Sequence, residues 1–179
     1  NQQIAALSVG ESGQLRALTP TQIAKMASTQ IGALTSNQIK ALNAEQAAAI
    51  EAADLPAMTK DAVAALSAEQ LTGMKALLSK FTTAQIPALK PAALEQLDSS
   101  LFAELKSDQL AALTPTQLAK ISSGQLANIT ADAIKGLTAS QLKLLTTGEN
   151  GQLNGLTADQ IAKMTSTQLP ALTTTQIAK

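Results

Sequence analysis

The 179-residue chain sets 13 Lys and Arg against 13 Asp and Glu, for a formal net charge of zero, and contains no His, Cys, Trp or Tyr. Zinc sites, haem or iron–sulfur ligation of the usual kind, and Ser-His-Asp or Cys-His nucleophiles are therefore excluded. A neutral chain whose only aromatics are Phe81 and Phe102 also lacks the cationic and stacking surfaces of a nucleic-acid binder.

Hydrophobic residues make up 45% of the chain, the content of a folded protein. No run approaches the ~18 apolar residues of a membrane span. Residues 1–18 read as the end of a preceding repeat followed by an irregular Gly-Glu-x-Gly unit. From Thr19 the chain falls into eights: TPTQIAKM, ASTQIGAL, TSNQIKAL, and so on to Met74. A seven-residue unit occupies 75–81, and the eights resume from Thr82 to Leu145. An irregular eleven-residue unit, TTGENGQLNGL, covers 146–156, and residues 157–179 begin the next module. The consensus is Thr-x-x-Gln-Ile/Leu-x-x-Leu/Met. Position 1 is Thr, Ser, Asn or Asp in fourteen of the eighteen regular units, and position 4 is Gln in thirteen.

A longer period overlies the octads. Residues 8–41 return as 146–179, an offset of 138, with twenty identities in thirty-four aligned positions. One continuous array with a 138-residue super-repeat is expected. Both ends fall inside a unit, so a segment of a longer array is expected too.

An octad cannot be one amphipathic helix. Eight residues rotate a helix by about 800°, so the apolar stripe drifts by about 80° per unit. A β-solenoid is disfavoured, because positions 5 and 8 would point to opposite faces of a strand. A short helix restarted in each unit fits. Thr or Ser followed three residues later by Gln is a capping box, as in Thr19–Gln22, Thr35–Gln38, Thr114–Gln117, Thr138–Gln141 and Thr157–Gln160. Pro20, Pro91 and Pro115 fall at position 2, the first helical residue, where a missing N–H costs nothing. Acids such as Glu45, Asp61 and Asp108 gather at position 3, and lysines such as Lys25, Lys120 and Lys163 at position 7, matching the helix dipole. Pro56, Pro87 and Pro170 at position 6 conflict with this frame. They leave two possibilities open: a helix of little more than one turn, or a bend nearer position 6.

One such unit is too short to hold as a helix alone, so units must stack. The expected fold is all-α, a solenoid or superhelix of short capped helices, one per octad. A one-residue corner would join helices at an angle, with two to four units per coil left open.

Functional candidates are few. A row of Gln at position 4 could bind a ligand or sugar, but capping or Gln–Gln hydrogen bonding explains it more simply. Glu11 and Glu149, in the two Gly-Glu-x-Gly segments, are weak Ca²⁺ candidates without the several acidic ligands of a calcium loop. A structural turn is the simpler reading. Asn128-Ile129-Thr130 matches the glycosylation acceptor pattern within the regular repeat. Phe81 and Phe102 fall at apolar positions, as core residues. No catalytic residue and no cofactor is expected.

The strings 17–23, ALTPTQI, and 171–177, ALTTTQI, resemble the Leu-Thr-x-x-Gln-Ile/Val repeats of very large bacterial exoproteins. Such regions are often labelled haem-utilisation or adhesion proteins. The resemblance implies an extracellular location on a bacterial surface or matrix and a role as stalk, spacer or fibre. It implies partners that are neighbouring repeats, identical chains, or a host or matrix surface. The haem label does not transfer, since only Met remains as a possible ligand.

Overall fold

The computed structural model describes residues 4, 6–10, 13–74 and 78–178. Among the described residues every element is helical and there is no strand. Each element lies within one repeat unit, the irregular seven- and eleven-residue units included. Helices such as Ser36–Ala41, Ser107–Ala112, Ser123–Asn128 and Ala139–Leu144 begin at position 2 and end at position 7. Pro20, Pro91 and Pro115 each open their helix.

The corner is wider than the sequence suggests. Two residues, not one, are extended at junctions such as Leu113–Thr114 and Leu137–Thr138, position 8 of one unit and position 1 of the next; Met74, before the seven-residue unit, is instead helical at φ −68° and ψ −5°. Leu113 has φ −60° and ψ 132°, and Thr114 follows with φ −72° and ψ 158°. Leu137 and Thr138 repeat this at ψ 122° and 158°. Neither conformation needs glycine, so any Leu–Thr pair can make the corner.

The position-6 prolines shorten the helix and leave the corner where it was. Leu55–Ala57, Ile86–Ala88 and Leu169–Ala171 are single 3₁₀ turns. Proline removes the N–H that position 6 would donate to position 2. The chain then closes tighter bonds, Ala88 N to Gln85 O at 2.9 Å and Leu89 N to Ile86 O at 3.1 Å. Leu89 at ψ 135° still turns the corner.

Positions 5 and 8 form the core. Ile31, Ile39, Leu55, Ile86, Phe102, Leu110, Leu126 and Leu142 are fully buried at position 5, with Leu34, Leu66 and Ile121 beside them at position 8. Phe81 is buried as well. The helices that pack together are three units apart: Ser36–Ala41 on Lys60–Ala65, Ala44–Ala48 on Ala68–Gly73, and Ser107–Ala112 on Ala133–Gly136. Backbones come closest where position 7 meets position 2 of the unit three steps back. A Cβ built on Gly136 would lie 1.8 Å from Ser107 O, and one on Gly155 would lie 2.0 Å from Ser123 O. Glycine is required at both places by close approach.

Candidate functional site: the glutamine rows

The polar atoms with the most regular geometry are the position-4 glutamine amides, and from Gln38 onward each uses both ends of its amide. The oxygen works locally. Thr114 N donates to Gln117 Oε1 at 2.9 Å while Gln117 N donates to Thr114 Oγ1 at 3.2 Å. The same reciprocal cap joins Thr19 to Gln22, Thr35 to Gln38, Thr138 to Gln141 and Thr157 to Gln160. At Ala27 and Lys106 no hydroxyl is present. Only the glutamine half remains there, with Ala27 N on Gln30 Oε1 at 2.8 Å and Lys106 N on Gln109 Oε1 at 2.9 Å.

The nitrogen works at long range. Gln117 Nε2 donates to Ile86 O at 2.8 Å and to Leu89 O at 2.7 Å. Gln70 Nε2 reaches Ile39 O and Leu42 O, both at 2.8 Å. Gln109 reaches Leu78 O and Phe81 O, and Gln141 reaches Leu110 O and Leu113 O. The acceptors are the carbonyls of positions 5 and 8 in the unit four steps back, joined in five cases by the position-6 carbonyl at 3.2–3.5 Å, that of Arg16, Pro56, Glu95, Ala111 or Ala127. Position 8 is extended, so its carbonyl has no helical donor and would be orphaned without this bond.

The rule survives the irregular units. Across the seven-residue unit Gln85 still finds Leu55 O and Met58 O. Across the eleven-residue unit Gln160 finds Leu126 O and Ile129 O. Glutamines with a complete pair of acceptors are almost wholly buried: Gln117 is 0% exposed and Gln109 2%. Among the described residues no buried side-chain nitrogen or oxygen lacks a partner.

The eleven-residue unit is an octad with three residues inserted into its cap. Gln152 N donates to Thr146 Oγ1 at 3.0 Å, and Leu153 N to Thr146 O at 3.2 Å, six and seven residues apart instead of three and four. In the earlier copy Gln14 N reaches Ser8 Oγ at 3.0 Å in the same way. Glu149 is exposed on the inserted turn, next to Gly148 at φ +112°. The carbonyls of Gly148 and Glu149 accept from Asn154 Nδ2 at 2.7 and 2.8 Å. Glu11 lies outside the described residues. Among the described residues no group of three or more acidic side chains could hold a metal ion.

Residues 11–44 and 149–179 match the ALTTAQ repeat model. Residues 11 and 149 occupy the same place in the two copies of the long period. The ALTTAQ matches thus mark the ends of one 138-residue step, and the chain between them is built of the same helical octads. No curated protein matches the chain.

One departure from the glutamine row is informative. Asp54 stands at position 4 of its unit, is 7% exposed, and accepts from Ser28 Oγ at 2.5 Å. A carboxylate cannot donate to the carbonyls four units back, so its partner is a hydroxyl three units back instead. Asp132 lies on the surface beside Lys135, at 2.7 Å; the hydrogen bond from that ammonium, then its charge, holds the carboxyl below its ordinary value. The nitrogen half of the glutamine role goes beyond the capping box, yet the sequence carries a sign of it. A capping box accepts Glu as readily as Gln. Position 4 holds no Glu in any regular unit, and only Gln brings two N–H donors.

Proposed function

We propose that the chain is a structural spacer: a solenoid segment of a stalk, spacer or fibre in a large secreted bacterial surface protein, without enzymatic activity. The observation that carries the reading is the pair of Nε2 bonds from position-4 glutamines such as Gln70 and Gln117 to positions 5 and 8 four units earlier. Contacts three units back and hydrogen bonds four units back seat each new unit between two earlier ones. These contacts support a superhelix with between three and four octads per coil, in which every unit would meet only near neighbours in sequence. Such an array converts residue number directly into length, which suits a spacer. The secreted, bacterial-surface setting rests on the resemblance of the Leu-Thr-x-x-Gln strings. The lack of enzymatic activity rests on the absence of His and Cys and on hydroxyls that serve as helix caps.

Solution scattering tests it. The 179-residue chain is compared with a version in which the 138-residue module is duplicated. The maximum dimension should grow in proportion to the number of units. A growth of only about a quarter, as for a compact body, would refute the spacer reading.

A further inference from the structure

In the unit 130–137 position 4 is Ala133, yet the partners of the missing glutamine are all present. Gln141, in the next unit, donates 31 and 28 residues back, to Leu110 O and Leu113 O. The same steps from Ala133 lead to Phe102 O and Leu105 O. Phe102 O receives the local Leu105 N at 3.2 Å, as Leu110 O receives Leu113 N, but among the described residues no donor reaches Leu105 O. Thr138 N donates to Gln141 Oε1 at 2.8 Å, whereas its counterpart Thr130 N has no acceptor. A cleft of about 320 Å³ opens here, lined by Leu105, Lys106, Ser107, Thr130, Asp132 and Ala133. A cleft in the same register earlier in the chain is lined by Leu42, Asn43, Ala44, Ser67, Glu69 and Gln70. There Gln70 stands where Ala133 stands, its amide on Ile39 O and Leu42 O. The packing of the Ala133 unit has not shut the gap. A Cβ on Gly136 would lie 1.8 Å from Ser107 O, against 2.0 Å for Gly155 and Ser123 O in a unit that holds its glutamine, Gln152.

We propose that the Ala133 cleft binds a primary carboxamide, the end group of a glutamine side chain brought by another molecule. Its oxygen accepts from Thr130 N, and its two N–H groups donate to Phe102 O and Leu105 O. These are the three bonds that Gln141 makes one unit later with its own chain. The chemistry is selective. A carboxylate sets an oxygen against two carbonyls, and a dialkylated amide has no N–H to give, so either leaves the carbonyls without a donor. The cleft falls in the ~300–1,000 Å³ range of small-molecule sites. Its rim carries Glu104, Asp132 and Lys106, all exposed, which leaves both signs of charge for the remainder of the ligand. The site is additional to the spacer reading and does not depend on it.

Titration of the 179-residue chain with propionamide tests the site, followed at the Thr130 N–H by NMR. That resonance should shift and saturate with a dissociation constant on the order of millimolar. The Thr138 N–H, already held by Gln141 Oε1, should not move. Propionate and N,N-dimethylpropionamide should bind at least about tenfold more weakly. Ala133→Gln fills the cleft with the chain's own amide, so the Thr130 shift should appear without ligand and the response to propionamide should vanish. Ala133→Leu plugs the gap without a polar group, using a residue that position 4 already holds at Leu101. It should lose the response and keep the circular dichroism of the parent. No Thr130 shift at about 100 mM propionamide overturns the site. So does propionate binding as well as propionamide, or a response that survives in both variants. L-glutamine and the capped peptide Ala-Gln-Ala separate the sources of the amide. Tighter binding of the first assigns a free amino acid, and of the second a partner chain. Loss of binding by both overturns the glutamine assignment.

Discussion

Replacing Gln117 by Glu separates the two jobs of the row. The substitution keeps the shape and leaves an oxygen to accept from Thr114 N, so the cap survives. It removes the NH₂ that serves Ile86 O and Leu89 O, at a site with no solvent access. Two hydrogen bonds of about 1 kcal/mol each are lost. Two carbonyls are then left to face an oxygen, with a further cost of about 1–3 kcal/mol. The expected loss at neutral pH is therefore about 3–5 kcal/mol, read by urea denaturation followed by circular dichroism. Burial and the two carbonyl dipoles disfavour the anion, so the introduced carboxyl titrates above the ordinary Glu value of about 4.3. The penalty is then largest above that raised folded-state value. It shrinks as pH falls towards the unfolded-state value, where the protonated acid can donate one bond. Gln22→Glu is the internal comparison. Gln22 keeps its contact to Thr19 N at 2.8 Å and is exposed, so its replacement should change stability by less than about 0.5 kcal/mol. Equal losses at the two positions, or a Gln117→Glu penalty that ignores pH, would refute the division of labour.

Other expectations follow from single contacts. Gly136→Ala drives a methyl to 1.8 Å from Ser107 O and should cost about 1–3 kcal/mol or more, whereas Gly124→Ala meets nothing closer than 3.9 Å inside Ser123–Asn128 and should gain about 0.5–1 kcal/mol. Paired thermal melts of the two variants check both signs. Ala27→Thr restores the missing hydroxyl at a cap whose φ −72° and ψ 155° already match Thr19, and should raise stability by about 1 kcal/mol in urea titration. Thr114→Ala should lower it by a similar amount in the same titration. The Ser100 hydroxyl, then the Ser100 N–H, hold the Asp98 carboxyl below its ordinary value. Any stability from this cap is present above the unfolded-state pKa and lost as pH falls through the depressed folded-state one, and NMR titration should show the Asp98 value rising in Ser100→Ala.

Much of the local structure was legible from short-range chemistry. Thr114 and Gln117 announce a cap because the partners are three residues apart, and Pro115 announces a helix start because its ring forbids little there. The same reasoning could not choose between outcomes at Pro87, where the ring deletes one bond but leaves the chain free to close a 3₁₀ turn. The arrangement of units was harder still. It depends on the summed ψ of two extended residues, such as Leu113 and Thr114, and both residue types tolerate a broad range. The long-range role of Gln117 was hidden for a related reason. The capping box accounts for its oxygen so completely that its nitrogen raises no question until its acceptors, Ile86 and Leu89, are located.

The long bonds have a direction. Gln70, Gln109, Gln117, Gln125, Gln141 and Gln160 all donate towards lower residue numbers. A unit leaving the ribosome therefore finds its acceptors already made, about thirty residues behind it. At roughly 5–20 residues per second, four units take roughly 2–6 s to synthesise, while helix formation and loop closure take microseconds or less. Each new octad can settle before the next is complete, and its own carbonyls then become the template. However many units precede it, a ribosome-bound intermediate leaves only its youngest few octads waiting to be covered.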